Sequence, residues 1–132
     1  MAARVAINLL DTADPAVTHV FNPFGDDKNG VHVWTESTPI AIGDPRLTMS
    51  LLSSPSRIRQ EVRLTAPVVA TEVINGVSNP RLLRSNYFSG GFSFHNLSTP
   101  RERADLMAYA GQLYSAKAGQ LYDMIVNKTD VW

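Results

Sequence analysis

The chain has 132 residues, 44% of them hydrophobic, so it suits one folded domain and excludes disorder along its whole length. Its 12 basic and 12 acidic residues balance to a formal net charge of zero, which excludes an overall charge that would attract nucleic acid or a membrane. It has no cysteine, which excludes disulfides and thiolate chemistry.

The start of the chain predicts a β-hairpin. Apolar runs at 5–10 and 17–21 indicate two strands, and Asp14-Pro15 indicates the turn between them. We expect Asn22-Pro23 to end the second strand. The first ten residues lack the features of a signal peptide, and no stretch is long and apolar enough to span a membrane. We therefore expect a soluble protein without a membrane partner.

The middle of the chain alternates between apolar and polar residues, which is typical of half-buried strands. Asn29-Gly30 predicts a tight turn, and alternation over 31–36 predicts a third strand. Residues 37–45 contain two prolines and predict a loop. Alternation over 46–66, on both sides of a serine-rich turn at 53–56, predicts an antiparallel hairpin with one apolar and one polar face.

A second long hairpin is predicted from the sequence that follows. Residues 67–72 extend the preceding strand, and Asn75-Gly76 indicates a tight reversal in a loop that Pro80 closes. The last strand is expected over 82–94. The Gly90-Gly91 pair inside it indicates a bulge or a close approach by another part of the chain.

Two helices are predicted at the end of the chain. Thr99-Pro100-Arg101-Glu102 is a capping box with proline at the first helical position. Apolar stripes at helical spacing follow, with a break or bend at 117–119 and an end at Asn127. Five or more strands followed by two helices indicate an α+β fold with an antiparallel sheet and helices on one face.

The predicted elements leave a packing problem. Two short helices have to cover the apolar face of a long sheet, and a single chain does not bury all of that surface. A dimer that shares its helices across a continuous sheet would cover it.

The polar sheet face combines basic, hydroxyl and aromatic side chains. Six arginines and two acids lie between Arg46 and Ser98. Arginine binds phosphate through a planar fork of donors, and tyrosine stacks on unpaired bases, so this face suits RNA. The predicted face carries Thr48, Ser50, Arg57, Arg59, Arg63, Ser85, Tyr87 and Ser89. The alternative is a solvated face in which Glu61 pairs with the arginines.

Motifs for catalysis or for metal binding are not found. The three histidines have no spacing typical of a metal site or a catalytic triad, and no phosphate-binding loop or nucleophile motif occurs. We expect a protein that is not an enzyme, with no cofactor, no metal and no small-molecule substrate.

The chain resembles a known protein family over nearly its whole length, from about Val17 onward. The resemblance rests on several segments that occur in the same order and with nearly constant spacing. They are Asn29-Gly30-Val31 leading to Trp34, the strand at 46–51, Pro67-Val68-Val69-Ala70-Thr71, Asn75-Gly76, Arg84-Ser85-Asn86-Tyr87 and Ser98-Thr99-Pro100-Arg101-Glu102-Arg103. Together they resemble the coat proteins of single-stranded RNA bacteriophages of the levivirus type.

The resemblance implies a capsid protein with a single domain over 1–132. It implies an N-terminal β-hairpin (1–23), a five-stranded antiparallel sheet (30–94) and two C-terminal α-helices (99–127). Two subunits would form an intertwined homodimer with a ten-stranded sheet, and about 90 dimers would close an icosahedral T=3 shell in the bacterial cytoplasm. The loop that meets its copies at the shell axes would consist of Ile74, Asn75, Gly76, Val77, Ser78, Asn79 and Pro80.

The resemblance also implies that the shell packages genomic RNA, and that the dimer binds an RNA stem-loop as a translational repressor. Thr48 and Ser50 match adenine-pocket positions, and Val31 matches an apolar pocket position. Arg59 and Arg63 match basic RNA contacts, Tyr87 matches the stacking tyrosine, and Ser89 matches a polar base contact. Three residues depart from the family pattern: Leu52 at an often basic position, Glu61 at an often threonine position, and Gly91 at an often acidic one.

A second hypothesis keeps the fold and changes the role. A non-capsid RNA-binding regulator would use the same sheet face and form a dimer but no shell. The size of the purified particle separates the two hypotheses.

Overall fold

The structure is a computed structural model that describes residues 3–115 and 119–130. Within these residues six strands precede two helices, which confirms the predicted α+β order. The elements are β1 (Ile7–Leu10), β2 (Thr18–Asp26), β3 (His32–Thr35), a 3-10 helix (Ala41–Gly43), β4 (Arg46–Ser53), β5 (Arg57–Ile74), β6 (Val77–His95), α1 (Pro100–Ser115) and α2 (Gln120–Val126).

The sheet is a meander in which each strand lies beside the one before it, in the order β1 to β6. The first four pairings are antiparallel. Strand β2 belongs to both the N-terminal hairpin and the main sheet: Phe21 lies opposite Ile7 of β1, and Asn22 lies opposite Thr35 of β3. The hairpin and the five-stranded sheet β2–β6 are therefore continuous.

The predicted end of the second strand at Asn22-Pro23 is wrong, because β2 continues to Asp26. The register shifts between Pro23 and Gly25, and Gly25 has a φ of 121°. Proline lacks a donor for the ladder and is tolerated in a strand at such a bulge, where glycine supplies the left-handed backbone.

The long hairpin of β5 and β6 has a tighter turn than the sequence predicts. Asn75 and Gly76 have positive φ values of 51° and 77°, as the expected two-residue turn requires. However, β6 begins at Val77 and includes Pro80, so the predicted loop over 74–80 is a two-residue turn between strand ends. Proline is compatible with β6 because β6 is the last strand of the sheet.

A small core lies on the apolar face of the sheet. Phe21, Trp34 and Leu47 are buried, and Ile7, Met49, Val62 and Leu64 pack around them. The indole Nε1 of Trp34 donates a hydrogen bond of 3.0 Å to the carbonyl oxygen of Val5. The chain before β1 therefore lies against the core, and the buried indole donor is satisfied.

The chain divides into two compact units, residues 1–93 and 94–132. In the second unit the capping box is present: the amide of Thr99 donates to Glu102 Oε2 at 2.7 Å, and the amide of Glu102 donates to Thr99 Oγ1 at 3.3 Å. Helix α2 begins after Gly119 and ends at Val126 with Asn127 as its C-cap, which is the end that the sequence predicts. The rest of the predicted break, 117–118, lies outside the described residues. Neither described helix is long and apolar enough to cross a membrane.

The single chain leaves much apolar surface in contact with water. None of the described residues of α1 or α2 is buried. Met107, Leu113 and Ile125 of the predicted helical stripes are more than half exposed. The predicted covering of the sheet by helices stays a prediction.

Candidate nucleic-acid interface

The pairing of β4 with β5 places the predicted polar residues on one face. Thr48 lies opposite Arg63, and Ser50 lies opposite Glu61. Residues directly opposite each other in an antiparallel pair point to the same side of the sheet. The alternation of the sequence therefore becomes a continuous polar surface across the two strands.

A depression of about 310 Å³ opens on this face, and we call it the central depression. Its lining is polar apart from one valine and consists of Asp27, Asn29, Val31, Arg46, Thr48, Ser50, Glu61, Arg63 and Thr65. Five predicted site residues thus meet in one place: Val31, Thr48, Ser50, Glu61 and Arg63. Thr48 and Ser50 are half-buried, whereas Arg63 is exposed.

Four lining residues of the central depression were not predicted as site residues. Arg46 and Thr65 lie opposite each other and share the strand parity of Thr48 and Arg63, so alternation alone could have found them. Asp27 and Asn29 come from the turn between β2 and β3, and nothing in their pattern points to this site. The carboxylate of Asp27 accepts hydrogen bonds from the amides of Asn29 (2.7 Å) and Val31 (3.0 Å), which orders this rim.

A second depression of about 230 Å³ lies between β5 and β6. It brings Arg59 and Ser89, both predicted site residues, beside Gly91. Glu61 and Arg63 line this depression as well as the central one. The two depressions therefore form one surface that a chain-like ligand can follow.

The remaining predicted site residues lie outside these two depressions. Arg57 is held to β6, since its Nε donates to Ser93 Oγ at 2.8 Å. Tyr87 is 76% exposed, which suits stacking of its ring on an unpaired base. Ser85 lines another depression, together with Arg46 and Thr65.

The charges of this face are only partly compensated. Arg59 Nε lies 3.8 Å from Glu61 Oε1, and both side chains are exposed, so the pair is weak. Arg63 forms no ion pair with any residue that the structure describes. Glu61 therefore neutralises little of the charge of the arginines. This favours an anionic ligand over the alternative, a solvated face in which Glu61 pairs with the arginines.

The predicted axis residues lie at the tip of the β5–β6 hairpin. Ile74 and Val77, on either side of the turn, are more than half exposed. Ser78, Asn79 and Pro80 are exposed on the first residues of β6. This tip lies at the opposite end of β5 from the 53–56 turn and presents two apolar side chains to solvent.

Across residues 3–115 and 119–130, no cluster of acidic or histidine side chains could hold a metal ion. His19 of β2 instead contacts one residue of the β1–β2 turn and one residue that directly follows β3. Its Nε2 lies 2.9 Å from Asp11 Oδ2, and its Nδ1 lies 2.9 Å from Glu36 Oε2. The Asp11 carboxylate also accepts the amides of Val17 and Ala13, at 2.9 and 3.0 Å, which closes the β1–β2 turn.

The contacts of His19 with Asp11 and Glu36 predict that the stability of the N-terminal hairpin depends on pH. The Val17 amide, then His19 and the Ala13 amide, lower the pKa of Asp11 from 3.8 to about 2. Hydrogen bonds to Asp11 and Glu36 raise the pKa of His19 above 6.5. The Asp11 contribution is present above pH 3.8 and is lost as the pH falls through about 2. The His19 contribution is present below pH 6.5 and is lost as the pH rises through the raised pKa.

We therefore expect the hairpin to be most stable between pH 3.8 and 6.5. The measurement is amide hydrogen exchange of β1 against pH, for the wild type and for His19→Gln. In the variant, the protection of the β1 amides should no longer decline above pH 6.5, and it should still decline at low pH. Identical profiles for both proteins would contradict a role for His19.

The chain is similar to known phage capsid proteins. Residues 2–132 match the family model described as Levivirus coat protein. The capsid protein of Pseudomonas phage PRR1 is 31% identical over 115 residues, which cover 86% of this chain and 87% of the relative.

Solved structures with the same fold include virus-like particles of two bacteriophages. That of bacteriophage ESE058 has a TM-score of 0.87 and 20% identity, and that of bacteriophage NT-214 has 0.85 and 23%. Each comparison covers 99% of this chain and 100% of the other. The capsid protein of bacteriophage GA has a TM-score of 0.79 and 18% identity, with 95% of each chain covered.

Proposed function

This chain belongs to the levivirus coat protein family and is a capsid protein of a levi-like RNA phage, and from that premise we propose that it dimerises, closes an icosahedral shell and packages genomic RNA. Its two compact units would complete a single domain over 1–132 within the dimer. The dimer would also bind an RNA stem-loop through its polar sheet face and so repress translation. Assembly would take place in the cytoplasm of the bacterial host.

Two features of the single chain support a dimer: its long edge strand β6 and its exposed helices. Strand β6 has 19 residues and is the last strand of the sheet, so it is a long edge strand of the kind that pairs with another chain. Pairing of β6 with its copy would join two five-stranded sheets into a ten-stranded one. The exposed apolar stripes of α1 and α2 would then cover surface of the partner subunit.

The central depression is the observation that carries the RNA-binding part of the proposal. It gathers hydroxyls, an arginine without an ion pair among the described residues and one apolar lining residue, Val31, on one sheet face. Hydroxyls bond base edges, arginine binds phosphate and an apolar side chain packs against a base. Glu61 stands among them, so we expect the pocket to differ in detail from that of relatives with threonine there.

The test of the shell is the size and content of the purified protein. Gel filtration and negative-stain microscopy should show uniform hollow spheres, and the ratio of absorbance at 260 and 280 nm should show packaged nucleic acid. A nucleic-acid-free dimer that never assembles would contradict the proposal. An RNA-binding dimer without a shell would favour the regulator instead.

Arg63→Ala and Arg59→Ala are each expected to weaken RNA binding and to flatten its dependence on salt. Each removes one charge that releases counterions from RNA, and the slope of log K against log salt should become shallower by about 0.7 for each phosphate that the variant no longer neutralises. Arg101→Ala is the matched control, because that exposed arginine lies on α1 beside Asp105. Unchanged slopes in both sheet variants would contradict the basic RNA-binding face.

Tyr87→Ala is expected to lower RNA affinity by about 1–3 kcal/mol, the contribution of one base stacked on an aromatic ring. Tyr87→Phe keeps the ring and should bind as the wild type does. Fluorescence anisotropy with a labelled stem-loop from the phage genome measures both. Equal affinity of the alanine variant and the wild type would assign Tyr87 no role in binding.

A further inference from the structure

A depression of about 430 Å³ adjoins the central depression and adds residues that the proposed RNA site does not include. We call it the Phe24 depression, and its lining includes Phe24, Ile42, Asp44, Arg46, Thr65 and Leu82. Arg46 and Thr65 line both depressions, so the two are direct neighbours.

The side chain of Phe24 is placed by the bulge in β2. In the pairing of β2 with β3, Pro23 lies opposite Trp34 and Gly25 lies opposite Val33, so Phe24 has no partner. A bulge of this kind re-aims one side chain out of the regular alternation of the strand. Phe24 is 69% exposed and belongs to the lining of the depression rather than to the core.

The depression combines apolar walls with polar groups at its edge. Ile42 is 49% exposed and Leu82 is 42% exposed, so together with Phe24 three large apolar side chains meet water in one place. A flat, partly apolar ligand would cover them. An unpaired nucleobase has this shape, with a face that stacks on aromatic rings and an edge that forms hydrogen bonds.

The polar groups of the depression suit the edge and the phosphate of a nucleotide. The amide and the hydroxyl of Thr38 donate to Asp44 Oδ1 at 2.7 and 2.6 Å, which orients the carboxylate. Oδ2 of Asp44 accepts no hydrogen bond from the described part of the chain, so it can accept one from a base amino group. Arg46 forms no ion pair with a described residue, and it stands where the two depressions meet.

We infer that the Phe24 depression is a binding site for an unpaired base of single-stranded RNA. The base stacks on Phe24, and Arg46 binds the phosphate that connects it to a nucleotide in the central depression. This inference rests on the proposed RNA-binding function and extends it to a second base on the same sheet face.

The test uses the purified full chain and a short single-stranded RNA of mixed sequence that carries 5-iodouridine. Phe24→Leu removes the ring and keeps an apolar side chain, whereas Phe24→Tyr keeps the ring. We expect light-induced crosslinks to the peptide that contains Phe24. We also expect affinity at least about fivefold weaker for Phe24→Leu, and wild-type affinity for Phe24→Tyr.

Three other results would overturn the inference, and each has a different consequence for the proposed RNA-binding function. If Phe24→Leu binds RNA as the wild type does while Arg63→Ala binds less, the second base site is wrong and the RNA-binding face stands. If Phe24→Leu binds RNA normally but fails to form particles, the depression is a contact between copies of the chain. If the wild type does not bind RNA at all, the proposed RNA-binding function fails and this site with it.

Discussion

Trp34→Ala is expected to lower the free energy of unfolding by about 3–5 kcal/mol, the usual effect of removing a large aromatic side chain from a core. The indole is 7% exposed and packs with Phe21 and Leu47 at the centre of the small core. Its loss also leaves the carbonyl oxygen of Val5 without a donor. With so few buried residues, the remaining side chains have little with which to fill the cavity.

Trp34→Phe separates the two contributions to this loss. Phenylalanine retains most of the buried ring and lacks the donor to Val5, so we expect a smaller loss of about 1–2 kcal/mol. Urea denaturation at one fixed protein concentration measures both variants, since stability depends on concentration if the protein is a dimer. A loss below about 1 kcal/mol for Trp34→Ala would show that the core does not depend on this residue.

Gly91→Ala is expected to destabilise the protein by about 3 kcal/mol or more, because the new methyl group meets backbone instead of a movable side chain. A Cβ at Gly91 would lie 2.1 Å from the carbonyl oxygen of Gln60 and 3.1 Å from the Cα of Glu61. Strands β5 and β6 would have to separate at this point. The depression that holds Arg59 and Ser89 would be deformed as well, so RNA binding should fall together with stability.

Gly90→Ala is the matched control for this prediction. Its Cβ would lie 3.2 Å from Cζ of the Phe88 ring, and a ring can move by the small amount required. We expect a loss of about 1 kcal/mol or less, measured in the same urea series. Equal losses for the two variants would contradict a specific backbone approach at Gly91.

Much of the fold follows from local pattern. Alternation over 46–66 assigned Thr48 and Arg63 to the polar face, because successive side chains on a strand point to opposite sides. The Asn75-Gly76 pair indicated the reversal of the long hairpin, and the Thr99–Glu102 pattern indicated the start of α1. These signals depend on neighbours in sequence, so they need no knowledge of the rest of the molecule.

The errors arose where a local signal met a constraint from elsewhere in the fold. Pro23 and Pro80 were both expected to lie outside strands, and both lie inside them. A register shift accommodates Pro23, and the position of β6 at the end of the sheet accommodates Pro80. Neither circumstance is visible in the residues next to the proline.

By itself, the sequence determined the order of strands and helices, the two faces of the sheet and most residues of the central depression. The tertiary structure alone decided that Asp27 and Asn29 complete that depression, that Gly91 lies against Gln60 and that Phe24 turns out of β2 toward Arg46. The physical reason is that a strand's faces are set by a period of two residues. Depressions, close approaches and bulges are set by the register between neighbouring strands, which brings together residues that are not neighbours in the sequence.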